Sequence, residues 1–310
     1  MTINGDYQRF IVENRMLLRE FLSERLSNRA LKAAKMKGKI YVNGIFRTVR
    51  HPLEIGDVVE VYYPDESKAS KVSCWYFYLH KVYEDGKLMV IYKMPGMPSI
   101  PNRRYPNYTL ANVLAGYYEM NHIPSAIHLV SRLDKDTSGL LLVSKNRRYH
   151  HLMTGKVKRK YLFLVEGVLE GEGTINLPIR DVKGTIKREI NSLGKPSVTH
   201  YRSLWHNEEI SLVEAQLETG RTHQIRVHFS SVNHPLLGDK LYGKAHPLFN
   251  GQALHSYELS FIHPESQELL CFRRPPIWWE IFKNYYFDIE FEEMMEKGKS
   301  RTIEVERNCL

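Results

Sequence analysis

The sequence predicts an α+β protein in which a large domain, built on a mixed and mainly antiparallel central β-sheet, follows a small α/β module at the N-terminus. Three observations lead there. From Trp75 to about Glu290, strand-like runs alternate with turns and a few short helical stretches, with no glycine-rich fingerprint of a nucleotide-binding sheet. Between residues 14 and 62, two short helical patterns are followed by a hairpin pattern. Charge is also segregated: between Arg15 and Arg50 there are ten basic residues against Glu20 and Glu24, so this stretch alone carries +8 of the chain's net +9.

The elements follow in order. Residues 1–13 read as an extension. From Asn14 onward, Leu17, Leu18, Phe21, Leu22 and Leu26 recur at helical spacing, and a second helix opens at Ser27 or Asn28, either of which can accept free backbone amides. On that helix Leu31 and Ala34 face inward, Arg29, Lys32 and Lys35 line the outside, and Gly38 ends it. Lys39-Ile-Tyr-Val, Asn43-Gly44 and Ile45-Phe-Arg form a hairpin, because Asn-Gly favours the positive φ angles of a type I′ turn. Leu53 to Val61 supplies a last strand with a turn at Gly56-Asp57. The module therefore spans 14–63. The polar, proline-containing stretch 64–74 reads as a linker, 75–290 as the large domain and 291–310 as a polar tail.

In the large domain, Leu88 to Lys93 is a strand that ends at Pro95-Gly96. Ala126 to Val130 and Leu140 to Val143 both read as core strands, with the charged turn Arg132-Leu133-Asp134-Lys135-Asp136-Thr137-Ser138-Gly139 between them. Asp134 thus sits on rigid scaffold yet open to a ligand, although an aspartate in such a turn can also serve only to cap amides. Lys160-Tyr161 begins the strand that runs to Gly167, and Lys156, Lys158, Arg159 and Lys160 form a basic cluster before it. Gly220 ends the strand Ile210 to Leu217. Thr222 is placed to cap the helix marked by Ile225, Phe229 and Val232, and Arg226 lies one turn further on.

The totals exclude several classes. No apolar run approaches the ~20 residues of a membrane span, and the first residues lack a basic-then-apolar signal pattern, so a cytoplasmic protein that binds no membrane is expected. Cys74, Cys271 and Cys309 are scattered and odd in number, which suggests neither a disulfide framework nor a zinc cluster. His223 and His228, five apart, and the adjacent His150-His151 match no familiar zinc spacing, so no metal is expected. The concentrated positive charge favours a polyanion, nucleic acid first, because each phosphate contact releases counterions.

The stretch Arg132-Leu-Asp134, two residues, Thr137-Ser138-Gly139 resembles the active-site motif of the RluA-like family of RNA pseudouridine synthases of the large-ribosomal-subunit type, in which the Asp is catalytic. Leu88 to Pro98, Lys160 to Gly167, Gly194-Lys195-Pro196 with Thr199, Thr219 to His228 and His234 to Gly243 resemble further blocks of that family. The resemblance implies the pseudouridine synthase fold and assigns catalysis to Asp134, Tyr161 and Arg226. Tyr161 would pack on the target base and take up its carbon-five proton, and Arg226 would pair with Asp134. It further implies that Arg132 fills the gap left by a flipped base and that Arg221, His223 and Gln224 contact substrate. One position departs: the family usually has His before Arg-Leu-Asp, and this chain has Ser131, so altered loop contacts are expected. Residues 14 to 62 resemble the RNA-binding module named after the fourth small-subunit ribosomal protein, which implies RNA contacts from Arg25, Arg29, Lys32, Lys35 and Lys39.

The implied reaction isomerises a uridine in structured RNA. It breaks the bond between ribose and the glycosidic nitrogen, turns the uracil and rejoins it through carbon five, so it needs no cofactor. An ionised carboxylate in a site closed to water is required by every version, whether the aspartate attacks ribose or base or removes a ribose proton. Large-subunit ribosomal RNA is the expected substrate and partner, with transfer RNA second, and a monomer is expected. Two other readings stand beside it. One pairs Asp134 with Asp136 as a glycoside hydrolase, although carboxylates two apart in one loop rarely make the required separation. The other is an RNA-binding or ribosome-assembly protein whose catalytic role is slight.

Overall fold

The computed structural model describes residues 7–26, 28–36, 38–62, 72–286 and 290–297. The chain divides into two compact units, Met1–Lys71 with His122–Ala126, and Val72–Asn121 with Ile127–Leu310.

The small unit contains β1 (Tyr7–Ile11), β2 (Met16–Leu17), α1 (Leu18–Arg25), α2 (Asn28–Met36), β3 (Lys39–Val42), β4 (Ile45–Phe46), β5 (Pro52–Leu53) and β6 (Val58–Tyr62). Its four-stranded antiparallel sheet has the order β1-β6-β3-β4. Leu18, Phe21 and Leu22 of α1 and Ala30, Leu31 and Ala34 of α2 are buried with Ile40, Val42, Val59 and Val61 of the sheet, which leaves Lys32 and Lys35 outside. Asn43 and Gly44 both have positive φ, 51° and 77°, as the two-residue hairpin requires.

Two expectations are corrected here. Residues 7–11 are not an extension but an edge strand paired with β6. The first helix begins at Leu18, not Asn14, because Met16 and Leu17 pair with Leu53 and Pro52, and the Glu20 carboxylate then accepts the Leu17 N–H at 3.2 Å. Of the expected linker, residues 64–71 lie outside the described residues, as does Ser27.

The large unit contains β7 (Lys81–Glu84), β8 (Leu88–Lys93), α3 (Leu110–Met120), β9 (His128–Leu129), β10 (Ser138–Ser144), α4 (Arg147–Met153), β11 (Lys158–Glu166), β12 (Glu172–Asn176), β13 (Ile179–Asp181), β14 (Arg188–Ile190), β15 (Val198–His206), β16 (Ile210–Leu217), α5 (Gln224–Ser231), β17 (Leu254–Ile262), β18 (Leu269–Arg273), α6 (Trp279–Tyr285) and α7 (Phe291–Lys297). The main sheet runs β12-β15-β16-β11-β17-β10-β8-β7, with β18 on β17 and β9 on β10. Every pairing is antiparallel except β10 with β17, which are parallel over Ser138↔His255 and Gly139↔Ser256. This is the mixed, mainly antiparallel sheet that the sequence predicts. One face is covered by α5, whose Phe229 meets Phe163 of β11 edge-on at 4.7 Å. The opposite face carries Leu162, Leu164 and Tyr257 together with Trp278, Trp279 and Phe282. No helix among the described residues is long and apolar enough to cross a membrane.

The large unit does not end at residue 290. α7 buries Phe291, Met294 and Met295 against Trp279 and Tyr257, and the Phe291 ring stands edge-on to Trp279 at 5.2 Å. The polar composition of residues 291–310 concealed a three-residue apolar stripe at i, i+3 and i+4, the spacing that lets a single helical turn add to a core. Residues 298–310 lie outside the described residues. Replacing Phe291 with Ala is expected to destabilise the large unit by about 3 kcal/mol, the transfer and cavity cost of a buried ring. All four tryptophans, Trp75, Trp205, Trp278 and Trp279, belong to this unit, so urea unfolding followed by tryptophan emission measures it directly. A change within about 0.5 kcal/mol would show that α7 is only a tail.

Candidate active site

The charged turn between β9 and β10 is held from several directions. The Thr137 N–H closes it onto the Asp134 carbonyl at 3.2 Å. Ser99 clamps buried Leu133, accepting its N–H at 3.1 Å and donating its hydroxyl to its carbonyl at 2.6 Å. Lys93, the last residue of β8 and only 1% exposed, donates to the carbonyls of Met94, Met97 and Lys135 at 2.9, 2.8 and 3.0 Å. All three ammonium protons are thereby used. Gln252 donates to the Thr137 hydroxyl at 3.1 Å. The turn is therefore rigid, while the Asp134 side chain remains 26% exposed.

Arg226 projects from α5 onto that carboxylate. Its Nη1 is 3.2 Å from Asp134 Oδ2, while Nε and Nη2 make a two-pronged contact with Asp239 at 2.6 and 2.8 Å. Asp239 is fully buried, and its Oδ1 also accepts the N–H groups of Leu241 and Tyr242. Burial opposes the charge on both residues. The Asp239 hydrogen bonds and charge, with help from Asp134, nevertheless raise the Arg226 pKa above that of an ordinary arginine, and Arg226 holds Asp239 below the usual carboxylate range. One guanidinium thus spends a fork on a buried anion and offers its remaining nitrogen to a half-exposed one. Close by, burial first and Asp134 and Asp136 in opposition leave the Lys93 ammonium pushed down to about 7.

His223 joins this group. It occupies the left-handed region at φ 59°, immediately before α5. Its Nε2 lies 3.8 Å from Asp134 Oδ2 and its Nδ1 2.8 Å from the Tyr242 hydroxyl. Burial, with Arg226 and Arg188 nearby, lowers its pKa despite Asp134, so the ring is neutral near pH 7. Tyr242 also accepts the Arg188 N–H at 2.8 Å, and the Arg226 guanidinium lies 5.1 Å from its ring centre.

Other expected site residues fall in different places. Tyr161 is on β11, 5% exposed, in the same cross-strand row as Ser256 and Gly139. Since Phe163 two residues on packs against α5, Tyr161 faces the side of the sheet that carries Arg226. Its hydroxyl has no hydrogen-bond partner among the described residues. Arg132 is exposed, and Arg221 is exposed with its Nε on the Pro196 carbonyl at 3.1 Å. Among the described residues neither makes a hydrogen bond or ion pair with Asp134.

Gln224, expected to contact substrate, is placed differently from the exposed arginines. It is buried, its carbonyl accepts from Thr219 and Arg221, and its amide donates to Val198 and Thr199. With both ends committed, it braces α5 against β15 and leaves no group for a ligand. That brace also replaces the expected Thr222 cap: the residue before the helix is His223, which makes no side-chain cap. Ser131 leaves its hydroxyl enclosed without a partner, where the family usually has a longer imidazole. Asp136 lies against Gly251 and pairs loosely with Lys135 at 3.6 Å.

In the small unit, Lys32, Lys35 and Lys39 are exposed. Arg25 is partly spent on Glu24 at 3.1 Å and lies over the Phe21 ring at 3.9 Å, and the side chain of Arg29 lies outside the described residues.

Asp239, Tyr242 and Lys93 were not singled out in the sequence. Asp239 and Tyr242 lie inside His234 to Gly243, a stretch that stood out only as a block, and Lys93 ends a strand where lysines commonly reach solvent. Among the described residues, no three of His, Cys, Asp or Glu are grouped to hold a metal ion. Chemically, the site presents one directed and partly accessible carboxylate beside neutral imidazole and phenol groups.

The sequence profile of a family described as RNA pseudouridylate synthase matches residues 87–231, which include both Asp134 and Arg226. A Bacillus subtilis protein named as the uncharacterized RNA pseudouridine synthase YjbO is 40% identical over 269 residues, 84% of this chain and 95% of the relative. A Neisseria meningitidis serogroup A protein, named ribosomal large subunit pseudouridine synthase D, is 41% identical over 214 residues, 63% of this chain and 57% of its own length. Among solved structures, human RNA pseudouridylate synthase domain containing 4 shares the fold, with a TM-score of 0.54 at 24% identity over 68% of this chain and 94% of that one. The extent and identity of the Bacillus match, together with the family profile across residues 87–231, establish that this chain belongs to the RNA pseudouridine synthases and is an isomerase of uridine in RNA.

Proposed function

We propose that this enzyme isomerises uridines of large-subunit ribosomal RNA, that Asp134 is the residue that engages the reacting nucleotide, and that the small unit grips RNA backbone. The observation that carries the proposal is the Arg226–Asp134 contact at 3.2 Å, with Asp239 anchoring Arg226 from behind. A cation held in place by a second, buried anion aims the Asp134 carboxylate without covering it. Relatives named for ribosomal large subunit action support the choice of RNA, and with it a cytoplasmic location.

In this reading an everted uridine lies between Asp134 and the face of the sheet that carries Tyr161, and Arg132 occupies the vacated place in the stack. The glycosidic C–N bond breaks, the uracil turns, and the new C–C bond forms. The carbon-five proton leaves to Tyr161, and the detached nitrogen regains a proton, so the overall change is an isomerisation. Water must be kept out while the base is free, which favours rigid walls over a flexible loop.

Three experiments test this. Pseudouridine mapping of total RNA from cells with and without the protein is expected to show a large-subunit ribosomal uridine that depends on it. Wild type should restore that modification and Asp134→Asn should not, because an amide carries no charge. Equal restoration by both would favour a binding role, and a dependent site in transfer RNA would overturn the choice of substrate.

Asp239→Asn removes the anion behind Arg226. It is expected to slow modification about 10²-fold through misdirection of the site and to destabilise the large unit by about 3 kcal/mol, as breaking a buried pair does. An unchanged rate would show that Arg226 is held without it.

For the small unit, Lys32→Gln combined with Lys35→Gln should flatten the dependence of log binding constant on log salt concentration by about 1.5, since each phosphate contact contributes roughly 0.7–0.9. An unchanged slope would mean that these lysines touch no phosphate.

A further inference from the structure

The parallel junction of β10 and β17 is confined to two residue pairs, Ser138↔His255 and Gly139↔Ser256. It lies where the Asp134 turn ends and the strand begins. The segment leading into β17 touches the turn residue by residue. Gly251 lies so close that a Cβ there would stand 2.7 Å from the Asp136 Cβ, and Gln252 donates to Thr137. His255 Nδ1 is 2.7 Å from the Ser138 hydroxyl, and Gly139 comes so near Ser256 that a Cβ would stand 2.3 Å from its carbonyl oxygen. Parallel strands keep step, so one short segment acts as a mould for the other. His255 and Ser138 are both buried, at 0% and 2% exposure, and lie 117 residues apart in sequence.

The direction of this contact follows from its chemistry. His255 Nε2 faces the Arg274 carbonyl at 3.1 Å, and a carbonyl can only accept, so Nε2 carries the proton. Burial pushes the pKa of the ring down to about 3, with the Arg274 carbonyl acting weakly the other way, so the ring is neutral at any working pH. Nδ1 is then a bare acceptor, and Ser138 must be the donor. Ser99, Lys93 and Gln252 hold the body of the turn and β8 pairs with the strand from Gly139 onward, so the directed side-chain bond at Ser138 fixes the junction between the two.

We propose that His255 is a positioning residue for the reaction. By accepting the Ser138 hydroxyl it sets the orientation of the Asp134 turn, and therefore the angle at which the Asp134 carboxylate meets the uridine, without touching substrate itself. The proposal rests on the reading of Asp134 given above.

The test uses the full-length protein, in excess over total RNA extracted from cells that lack it, with conversion of the dependent uridine followed in time. Two quantities are read: the plateau rate at saturating protein, and the protein concentration that gives half of that rate. His255→Ala is expected to lower the plateau rate about 10²-fold, as a misplacement of ~1 Å does, with the half-saturating concentration unchanged within twofold. Ser138→Ala, which deletes one oxygen, should reproduce the loss and decides the matter if His255→Ala fails to fold. His255→Gln, whose amide oxygen can accept from Ser138, should stay within about tenfold of wild type.

Plateau rates of both alanine variants within about threefold of wild type would overturn the proposal. So would a loss shared equally between plateau rate and half-saturation, or no recovery in His255→Gln, since either would mark a general structural role. Asp134→Asn is run alongside. If it retains wild-type rate, the parent reading fails and takes this one with it. If it is inert while His255→Ala is near wild type, only the positioning role fails.

Discussion

A single guanidinium shared between two carboxylates is the interaction on which the site depends. Arg226 alone, buried beside a partly exposed aspartate, would be a costly cation, because its desolvation exceeds what one 3.2 Å contact returns. Asp239 changes that balance. It is fully buried, takes two short hydrogen bonds from Arg226 and is itself steadied by backbone amides at Leu241 and Tyr242. The pair nearly neutralises itself, and the third nitrogen remains for Asp134. A carboxylate held in this way is directed and still partly open to solvent.

The scaffold explains why those groups meet. Asp134 sits between β9 and β10, Arg226 on a helix that packs on β11, and Asp239 in the chain between that helix and β17. Each of the three comes from a different stretch of chain, and each is fixed locally: Lys93 and Ser99 hold the turn, Gln224 braces the helix, and the amides of residues 241 and 242 hold Asp239. Little in this arrangement needs to move before substrate arrives. The left-handed backbone at His223 is the visible strain, and it places an imidazole between Asp134 and Tyr242.

Much of this was legible in the sequence for physical reasons. The Leu140–Val143 run is apolar throughout because β10 is buried on both faces, and Asn43-Gly44 announces its turn because few other residues tolerate positive φ twice. The Arg226–Asp134 meeting was anticipated from motif resemblance, not from spacing, since no local rule links residues 92 apart. What stayed hidden was of two kinds. Asp239 and Lys93 are charged residues inside the protein, and sequence patterning reads charge as surface unless a partner is known. Gln224 shows the converse: a polar residue inside a functional motif suggests ligand contact, whereas here its side chain bonds to Thr219, Arg221, Val198 and Thr199. α7 was overlooked because three apolar side chains were averaged into a charged tail.

The parallel junction at Gly139 also bears on when the enzyme comes into being during synthesis. Residues 87–231 contain the aspartate and the arginine, but Asp239, Gln252 and His255 are all encoded later. A nascent chain that has emerged only through α5 therefore carries Asp134 and Arg226 without the buried anion behind Arg226 or the strand that lies against the turn. Contacts of such long sequence separation form late and slowly in folding. The buried anion behind Arg226 and the strand that lies against the Asp134 turn therefore join the arrangement only once the chain through β17 is available to fold.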